Sequence, residues 1–430
     1  MKRFIPKFVF RIYHYLLALT GAILYGFPSK KLVVIGVTGT NGKSTVVHLI
    51  SEILEKSGQK VASLSSIRFK IGDKEQLNML KMTMPGRMKL QKFLRQAVKA
   101  GCKYAVIEVT SEGIKQYRHK FIDFDGVVFT NLTKEHIEAH KGFENYKKAK
   151  GKLFKALAKS KKKNLPRDFA EGKIFRGKFV VLNADDKHSE YFSKLAGNVK
   201  KYFYSLKDLE KINLQISLPG EFNKYNALAA YFTGLALEIE KNKILEVLKQ
   251  AKGIPGRMEI VINALFTVMV DYAHTPDALE KVYRAIISNF KFLISNQIPN
   301  SNDQNPKLIC VLGSCGGGRD KWKRPIIGKI AAKFCDKIIL TNEDPYDENP
   351  FSILTDIEKG FSQILNPKSE ILKILDRREA INKALSLAKE NDIVIITGKG
   401  CEPWMCVAHG KKIAWDDRRI VKEEYNKIYG

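Results

Sequence analysis

The sequence predicts an α/β protein in two parts: a central parallel-sheet ATPase-type domain built on a phosphate loop, then a smaller Rossmann-like α/β domain. Three observations predict it. Lys31 to Val37 is a β-branched apolar run, TGTNGKS follows at Thr38 to Ser44, and Thr45 to Ser57 carries Val46, Leu49, Ile50, Ile53 and Leu54 at helical spacing before Gly58. Strand, glycine loop and helix in that order are the context a phosphate loop requires. Further apolar strand runs alternate with helical patterns, which implies a parallel sheet with helices on both faces. Finally, 430 residues exceed one core. KGIPGRME at Lys252 to Glu259, with Gly253, Pro255 and Gly256, reads as the boundary. The expected segments are residues 1–31, apolar and basic, then 32–255 and 256–430.

The loop residues suit phosphate. Gly39 and Gly42 let backbone N–H groups approach the anion, and the helix N-terminus adds its positive end. Lys43 can reach the β/γ-phosphates and the Ser44 hydroxyl can bind Mg²⁺. The spacing departs from G-x-x-x-x-G-K, because Val37 stands where that pattern wants glycine and glycine sits at 36.

Composition bounds the rest. Apolar content of 44% excludes global disorder. A formal charge of +29 suits anionic partners, but the lysines are spread along the chain and no nucleic-acid signature accompanies them. They read as a solvated surface, with no nucleic acid as partner. The six cysteines form no C-x-x-C pair, so zinc is not expected and free thiols are. Ile12 to Phe27 is uncharged between basic flanks and short for a spanning helix. A helix packed on the first domain is the expectation, and a membrane-surface helix the alternative.

In chain order, Val61 to Ile67 reads as a short strand and Gly86 to Ala100 as a helix. Tyr104 to Val109 is a buried strand delivering Glu108, and Gly126 to Thr130 another delivering Asn131. Thr38–Ser44, Glu108 and Asn131 therefore fall at the carboxyl ends of strands, where such sheets bind ligands. His136 and His140 are spaced i, i+4, so a helix would put them on one face. Lys147 to Lys178 is strongly basic and reads as solvated. Lys178 to Asn183 is a strand, and Gly220 to Ala230 starts a helix. After the boundary, strands are expected at Thr267–Asp271, Leu308–Gly313, Lys337–Thr341 and Ile393–Gly398, with a polar loop from Ile298 to Lys307.

Taken together, these residues resemble the Mur ligase family, ATP-dependent enzymes that build the peptidoglycan stem peptide. The resemblance runs from about residue 32 to the end and is nearest to the members that add the third residue. TGTNGKS is similar to the family's nucleotide loop, which implies that Thr38, Gly39, Thr40, Asn41, Gly42, Lys43, Ser44 and Thr45 bind ATP, with Asn131. EVTSEGIKQYR resembles E-V-S-S-H-x-x-x-Q-x-R. It implies that Glu108 serves Mg²⁺ and that Thr110, Ser111, Gln116 and Arg118 hold the acceptor, with Glu112 in place of the histidine. Thr83 resembles a substrate threonine of T-T-P, with Met84 as the next residue. FTNLTKEHIEAH is similar to F-T-N-L-x-x-D-H-x-D-x-H and makes His136 a metal-site residue. Tyr146, Ala149, Lys150, Leu153 and Phe154 match Y-x-x-A-K-x-x-L-F, whose lysine is carbamylated in the family. A free ammonium would repel Mg²⁺, whereas a carbamate is an anionic oxygen ligand.

GEFNKYNALAA resembles the adenine-side motif through Asn223 and Asn226. PGRME and DYAHTPDAL supply Arg257, Asp271 and His274, implied to reach the nucleotide as the second domain closes. GGGRDKWKRP and GKGCE resemble amino-acid-binding motifs, with Arg319, Gly398 and Glu402 at matching positions. Asp344 and Tyr346 stand in EDPY, where the diaminopimelate-reading motif is D-N-P-R. The arginine for a distal carboxylate is missing, so lysine or a similar amino acid is as open as diaminopimelate. About thirty residues precede the first strand, where the family has a UDP-sugar domain, so a lipid-linked or otherwise altered acceptor is an alternative to UDP-MurNAc-L-Ala-D-Glu.

The implied reaction makes an amide through an acyl phosphate. Lys43, Glu108, His136, Lys150 and Arg257 would be catalytic, with Mg²⁺ at Ser44, Glu108, His136 and carbamylated Lys150. ATP, an amino acid and a UDP-MurNAc-peptide-like acceptor are the expected small-molecule partners of a cytoplasmic monomer, with a peripheral membrane contact through the N-terminal segment as an option. The alternatives are a nucleotide-dependent subunit working with an amidotransferase, and a folylpolyglutamate-type ligase. Gln116, Arg118 and GRDKWKRP argue against the last.

Overall fold

The computed structural model describes residues 7–80, 82–161, 163, 177–297, 306–363 and 370–430. It divides into two compact units, one of residues 1–134, 142–218 and 222–252, the other of residues 135–141, 219–221 and 253–430.

The first unit holds β1 (Val33–Thr38), β2 (Val61–Leu64), β3 (Arg68–Ile71), β4 (Lys74–Leu77), β5 (Tyr104–Glu108), β6 (Gly126–Phe129), β7 (Phe179–Asn183) and β8 (Lys200–Tyr204). They form one eight-stranded sheet in the order β4-β3-β2-β5-β1-β6-β7-β8. All neighbours are parallel except β2–β3 and β3–β4. The helices are α1 (Lys7–Leu24), α2 (Lys43–Lys56), α3 (Arg87–Lys99), α4 (Ser111–Lys115), α6 (Phe143–Lys159), α7 (Ser189–Ala196), α8 (Asp208–Ile212), α9 (Glu221–Ala236) and α10 (Lys241–Gln250). A four-residue helix, α5 (Ile137–His140), is carried by the second unit.

Alternation along β1 explains why the strand is apolar throughout. Val33, Ile35 and Val37 pack with Val46, Leu49 and Ile50 of α2 and with Leu228 and Tyr231 of α9. Val34 points the other way, to a cluster holding Leu90 and Leu94 of α3 and Leu153 and Phe154 of α6. Gly36 is used here: a Cβ on it would stand 2.9 Å from the Phe124 ring. It serves packing inside the strand and is no part of the loop, which accounts for the displaced glycine. Because β1 lies between β5 and β6, the carboxyl ends of three strands open on one crevice.

The second unit holds β9 (Glu259–Asn263), β10 (Thr267–Asp271), β11 (Leu308–Leu312), β12 (Lys337–Leu340), β13 (Glu370–Lys373) and β14 (Ile393–Thr397), with a small hairpin of β15 (Trp404–Cys406) and β16 (Lys412–Ala414). The six-stranded sheet runs β13-β12-β11-β14-β10-β9, with only β9 antiparallel to its neighbour. Its helices are α11 (Pro276–Gln297), α12 (Lys323–Phe334), α13 (Pro350–Glu358), α14 (Arg377–Leu387) and α15 (Asp417–Tyr429). Val270, Val311 and Ile396 pack on Ala380 and Ile381 of α14 and on Ile420 and Val421 of α15.

A buried ion pair fixes this face. The Arg377 guanidinium donates from Nε and Nη2 to Asp417 at 2.9 and 2.7 Å, and also from Nη2 to the Thr397 carbonyl at 2.8 Å. Both side chains are fully buried. Asp417→Ala leaves an unpaired buried cation, and we expect the unit to lose about 3–5 kcal/mol of stability, read as a lower denaturant midpoint with nucleotide chemistry intact in the folded fraction.

Three expectations are corrected. Lys163, inside the basic run read as solvated, has a buried side chain: its ammonium donates to Asp125 at 2.5 Å and to the carbonyls of Leu32 and Asp123. Residues 162 and 164–176 of that run lie outside the described residues, as do 298–305 of the expected polar loop. Cys310 and Cys335 are disulfide-bonded, not free. The crossover through α12 brings Cys335 back beside β11, which their separation of 25 residues does not announce. His136 does not share a helix face with His140, because α5 begins after it and His136 itself has φ 54°.

Candidate active site

The loop between β1 and α2 is held from β6. Thr40 N donates to the Asn131 carbonyl at 2.8 Å and Asn41 N to Asn131 Oδ1 at 2.9 Å. Thr130 Oγ1 donates back to the Asn41 carbonyl at 2.7 Å. Asn131 thus shapes the loop. Two glycines are required by close approach: a Cβ on Gly39 would lie 1.9 Å from Thr130 Oγ1, and one on Gly42 would lie 2.2 Å from Asn226 Oδ1. Gly42 is the N-cap of α2, at φ 82°, and no side chain caps the helix. The first amides of α2 are therefore without a side-chain cap and suited to an anion. Gly42→Ala meets both the contact and the positive φ. We expect about 1–3 kcal/mol of destabilisation and nucleotide affinity weakened at least about tenfold, measured by thermal melting and by titration with ATP.

Two lysines and one carboxylate stand at the loop. Lys43 Nζ donates to the Thr40 carbonyl at 2.7 Å and lies 3.8 Å from Glu108 Oε1. Ser44 Oγ donates to Glu108 Oε2 at 2.8 Å. Lys150, on α6, is 2% exposed and donates to the Gly39 carbonyl at 2.6 Å, with the Tyr146 ring beneath it at 4.7 Å. Burial first, and the neighbouring Lys43 charge second, push the Lys150 amine well below the ordinary lysine range, against a smaller opposing pull from Glu108. Tyr146 OH also meets Thr40 Oγ1 at 3.1 Å.

Glu108 leads on to Ser66 and Thr83, the latter expected from the sequence to hold the acceptor. Ser66 donates to it from the backbone at 2.9 Å and from its hydroxyl at 3.1 Å, and Ser66 Oγ meets Thr83 Oγ1 at 2.7 Å. Ser66 was not foreseen, since its only signal is its place after the β2 run. Gln116 Oε1 accepts from Arg118 Nη2 at 2.8 Å and from Arg87 Nη2 at 3.2 Å. Arg118 also donates to the Met84 carbonyl, and its Nε is buried without a partner. Burial and Arg87 lower Arg118 to about 10, so this is an under-neutralised cationic pair. The Thr110 hydroxyl accepts from Gly113 N at 3.1 Å as the cap of α4, in which Ser111 is the first residue.

The second unit gathers its own set at the ends of β10, β12 and β14. The Arg257 guanidinium lies 4.2 Å over the Tyr272 ring, and Tyr272 OH donates to Glu402 Oε1 at 3.0 Å. Lys399, fully buried, donates to Glu402 Oε2 at 2.7 Å and to both Asp344 oxygens at 2.9 and 3.0 Å. This lysine was missed, and it already occupies the Asp344 carboxylate. Asp271 is likewise used by the backbone, accepting from Met258 N and Ala273 N at 2.8 and 2.6 Å. His274 Nδ1 donates to the Tyr272 carbonyl at 2.9 Å, and burial followed by Lys323 holds it well below the ordinary histidine range. Gly398, at φ 107°, lets Glu343 in: a Cβ would lie 2.3 Å from its Oε2. Arg319 is hydrogen-bonded to Tyr346, and Gly317 packs on the Tyr346 ring.

The expected metal set of Ser44, Glu108, His136 and Lys150 is not gathered within one unit. His136 belongs to the second, in a segment whose Ile137 and Glu138 amides donate to Asp320 at 3.1 and 2.9 Å. Among the described residues no group of three or more His, Cys, Asp or Glu could hold a metal ion.

Residues 37–234 match the family model for the Mur ligase middle domain, and residues 256–400 match that for the Mur ligase glutamate ligase domain. The chain is 36% identical over 431 residues to the UDP-N-acetylmuramoyl-L-alanyl-D-glutamate–2,6-diaminopimelate ligase of Bacillus cereus, covering 95% of this chain and 81% of the relative. The like-named protein of Aquifex aeolicus is 37% identical over 405 residues, covering 93% and 78%. A solved structure of such a ligase, 28% identical, superposes with TM-score 0.55 over 93% of this chain and 79% of that one. Mycobacterium tuberculosis folylpolyglutamate synthase, complexed with ADP, shares the fold at 15% identity and TM-score 0.63, covering 89% and 91%. Phosphate loop, strand-end glutamate, buried loop lysine and the two matching domain models agree: this chain belongs to the Mur ligase family.

Proposed function

We propose that this chain is an ATP-dependent ligase of peptidoglycan precursor synthesis that joins an amino acid to the terminal carboxylate of UDP-MurNAc-L-Ala-D-Glu or a closely related acceptor. One observation carries the reading: a hydrogen-bonded chain, Ser44–Glu108–Ser66–Thr83, runs from the phosphate loop to the acceptor-side residues. It joins nucleotide chemistry to a second substrate within the first unit.

The acceptor carboxylate attacks the γ-phosphorus, ADP leaves, and an acyl phosphate forms. The amino group of the incoming amino acid then attacks the acyl carbon, loses a proton, and phosphate leaves with the broken C–O bond. Positioning and charge neutralisation carry such a transfer. Lys43 and the α2 N-terminus hold the phosphates, and Asn223 and Asn226 serve the adenine side. Arg118, with Gln116, offers a cation to the acceptor's carboxylate. In the second unit Arg257, Asp271 and His274 serve the nucleotide; Arg319, Asp344, Tyr346, Gly398 and Glu402 serve the amino acid, which is diaminopimelate, lysine or a similar one.

Ser44 and Glu108 fit Mg²⁺, being hard oxygen donors 2.8 Å apart, and such an ion takes its other ligands from phosphates and water. Bound there, it would offset charge on the transferring group. Lys150 is carbamylated in this reading: its amine, which burial makes easier to deprotonate than an ordinary lysine's, in its neutral form adds to CO₂, a C–N bond forms and a proton leaves to water. The protein works in the cytoplasm as a monomer.

The test is phosphate release from ATP with UDP-MurNAc-L-Ala-D-Glu and a panel of amino acids, with mass spectrometry of the product. Release that needs both acceptor and one amino acid, with a product heavier by that residue, is expected. No release with any pair contradicts the reading.

A further inference from the structure

Among the described residues no helix is long and apolar enough to cross a membrane, yet α1 leaves a broad apolar face uncovered. One side of it is fixed. Ala18, Gly21 and Ala22 are buried, and a Cβ on Gly21 would stand 3.1 Å from Met88 Cα of α3. Tyr15 packs edge-on against Phe121 at 5.2 Å, and His14 Nδ1 meets Arg87 Nη2 at 2.6 Å. The other side carries Phe8, Ile12, Tyr13, Leu16, Ile23 and Leu24, each between 52 and 63% exposed. At helical spacing they fall within one arc of about 160°. A stripe this wide marks an interaction surface.

Charge says what covers it. Residues 1–31 hold six Lys or Arg and no Asp or Glu. Along α6, Lys148, Lys152, Lys155 and Lys159 are exposed at helical spacing. Arg11 of α1, Lys120 and Lys155 all lie near enough to Lys152 to lower its affinity for a proton, after burial. A second copy would bring like charge to like charge. A spanning helix would be apolar all round, whereas this one is apolar on one side and small-residue packed on the other.

We propose that α1 is a membrane-surface helix: its apolar stripe enters the interface of a bilayer containing anionic lipid, and Arg11, Lys120, Lys152 and Lys155 meet the headgroups. His14 links this helix to Arg87, which shares Gln116 with Arg118. On the ligase reading above, docking holds Arg118, which would meet the acceptor carboxylate, close to headgroup level. The docking itself does not rest on that reading, because vesicle binding is measured without catalysis.

The full-length protein is sedimented with vesicles of phosphatidylcholine alone and of phosphatidylcholine mixed with phosphatidylglycerol. Binding to the mixed vesicles is expected, weaker on neutral ones and weaker at raised salt. Ile12→Glu with Leu16→Glu should reduce it by about tenfold per residue, leaving thermal melting unchanged. Lys152→Glu with Lys155→Glu should remove the preference for anionic lipid. Equal binding to both vesicles, no binding to either, wild-type binding by the Ile12/Leu16 variant, or burial of this face in a dimer would overturn the proposal. Absence of ligase activity in the wild-type protein, with vesicle binding present, would instead count against the function proposed above.

Discussion

Lys43→Ala should abolish turnover, lowering kcat by about three orders of magnitude, while the protein melts as before. The Lys43 ammonium reaches the Thr40 carbonyl and the edge of Glu108, and Glu108 keeps Ser44 and Ser66 as hydrogen-bond partners without it. Its removal takes away a flexible cation at the loop and leaves the Gly39–Gly42 backbone in place. The loss should therefore appear in kcat more than in ATP affinity, because charge on the phosphates rises towards the transition state. Steady-state kinetics together with ATP titration separate the two. A variant with unchanged turnover would mean that the loop does not act on the reacting phosphates.

The second large effect is expected at Lys150. Lys150→Met keeps the length of a side chain that is buried to 2% exposure but removes the amine. We expect at least about a hundredfold fall in kcat, with a loss of about 1–3 kcal/mol of stability, since the buried Gly39 carbonyl loses its donor. The wild-type enzyme should also lose activity in CO₂-depleted buffer and regain it with bicarbonate; the variant should be indifferent. The sign with pH follows from the cause. The amine is pushed down, so it is neutral, and able to add CO₂, at lower pH than an ordinary lysine. Below that depressed value it protonates, the carbamate is lost, and activity should fall on the acid side unless CO₂ is raised. A mass increment equal to CO₂, confined to Lys150, would identify the group.

How much of this was legible in the chain varies with burial. β1, β5, β6, β7, β10, β11, β12 and β14 are covered on both faces, so each reads as a short apolar run. β3 and β4, at one sheet edge, read Arg-Phe-Lys-Ile and Lys-Glu-Gln-Leu, and β8 opens Lys-Lys. Edge strands keep charge outward and lose the signal. At the site, the loop, Glu108 and Lys150 were legible through motifs. Ser66 and Lys399 were not, because their partners lie 42 and 55 residues away. Lys163 shows the same limit from the other side: one lysine of a basic run becomes a buried cross-brace only once Asp125 is placed beside it. His136 was spaced for a helix face, but the backbone turns left-handed there.

The most direct measurement follows oxygen from the acceptor. With heavy oxygen placed in the terminal carboxylate of UDP-MurNAc-L-Ala-D-Glu, attack on the γ-phosphorus must carry one labelled atom into the released phosphate. Label in the phosphate, in step with amide formed, is the predicted result. Phosphate that draws its new oxygen only from water would contradict activation of a carboxylate at this loop.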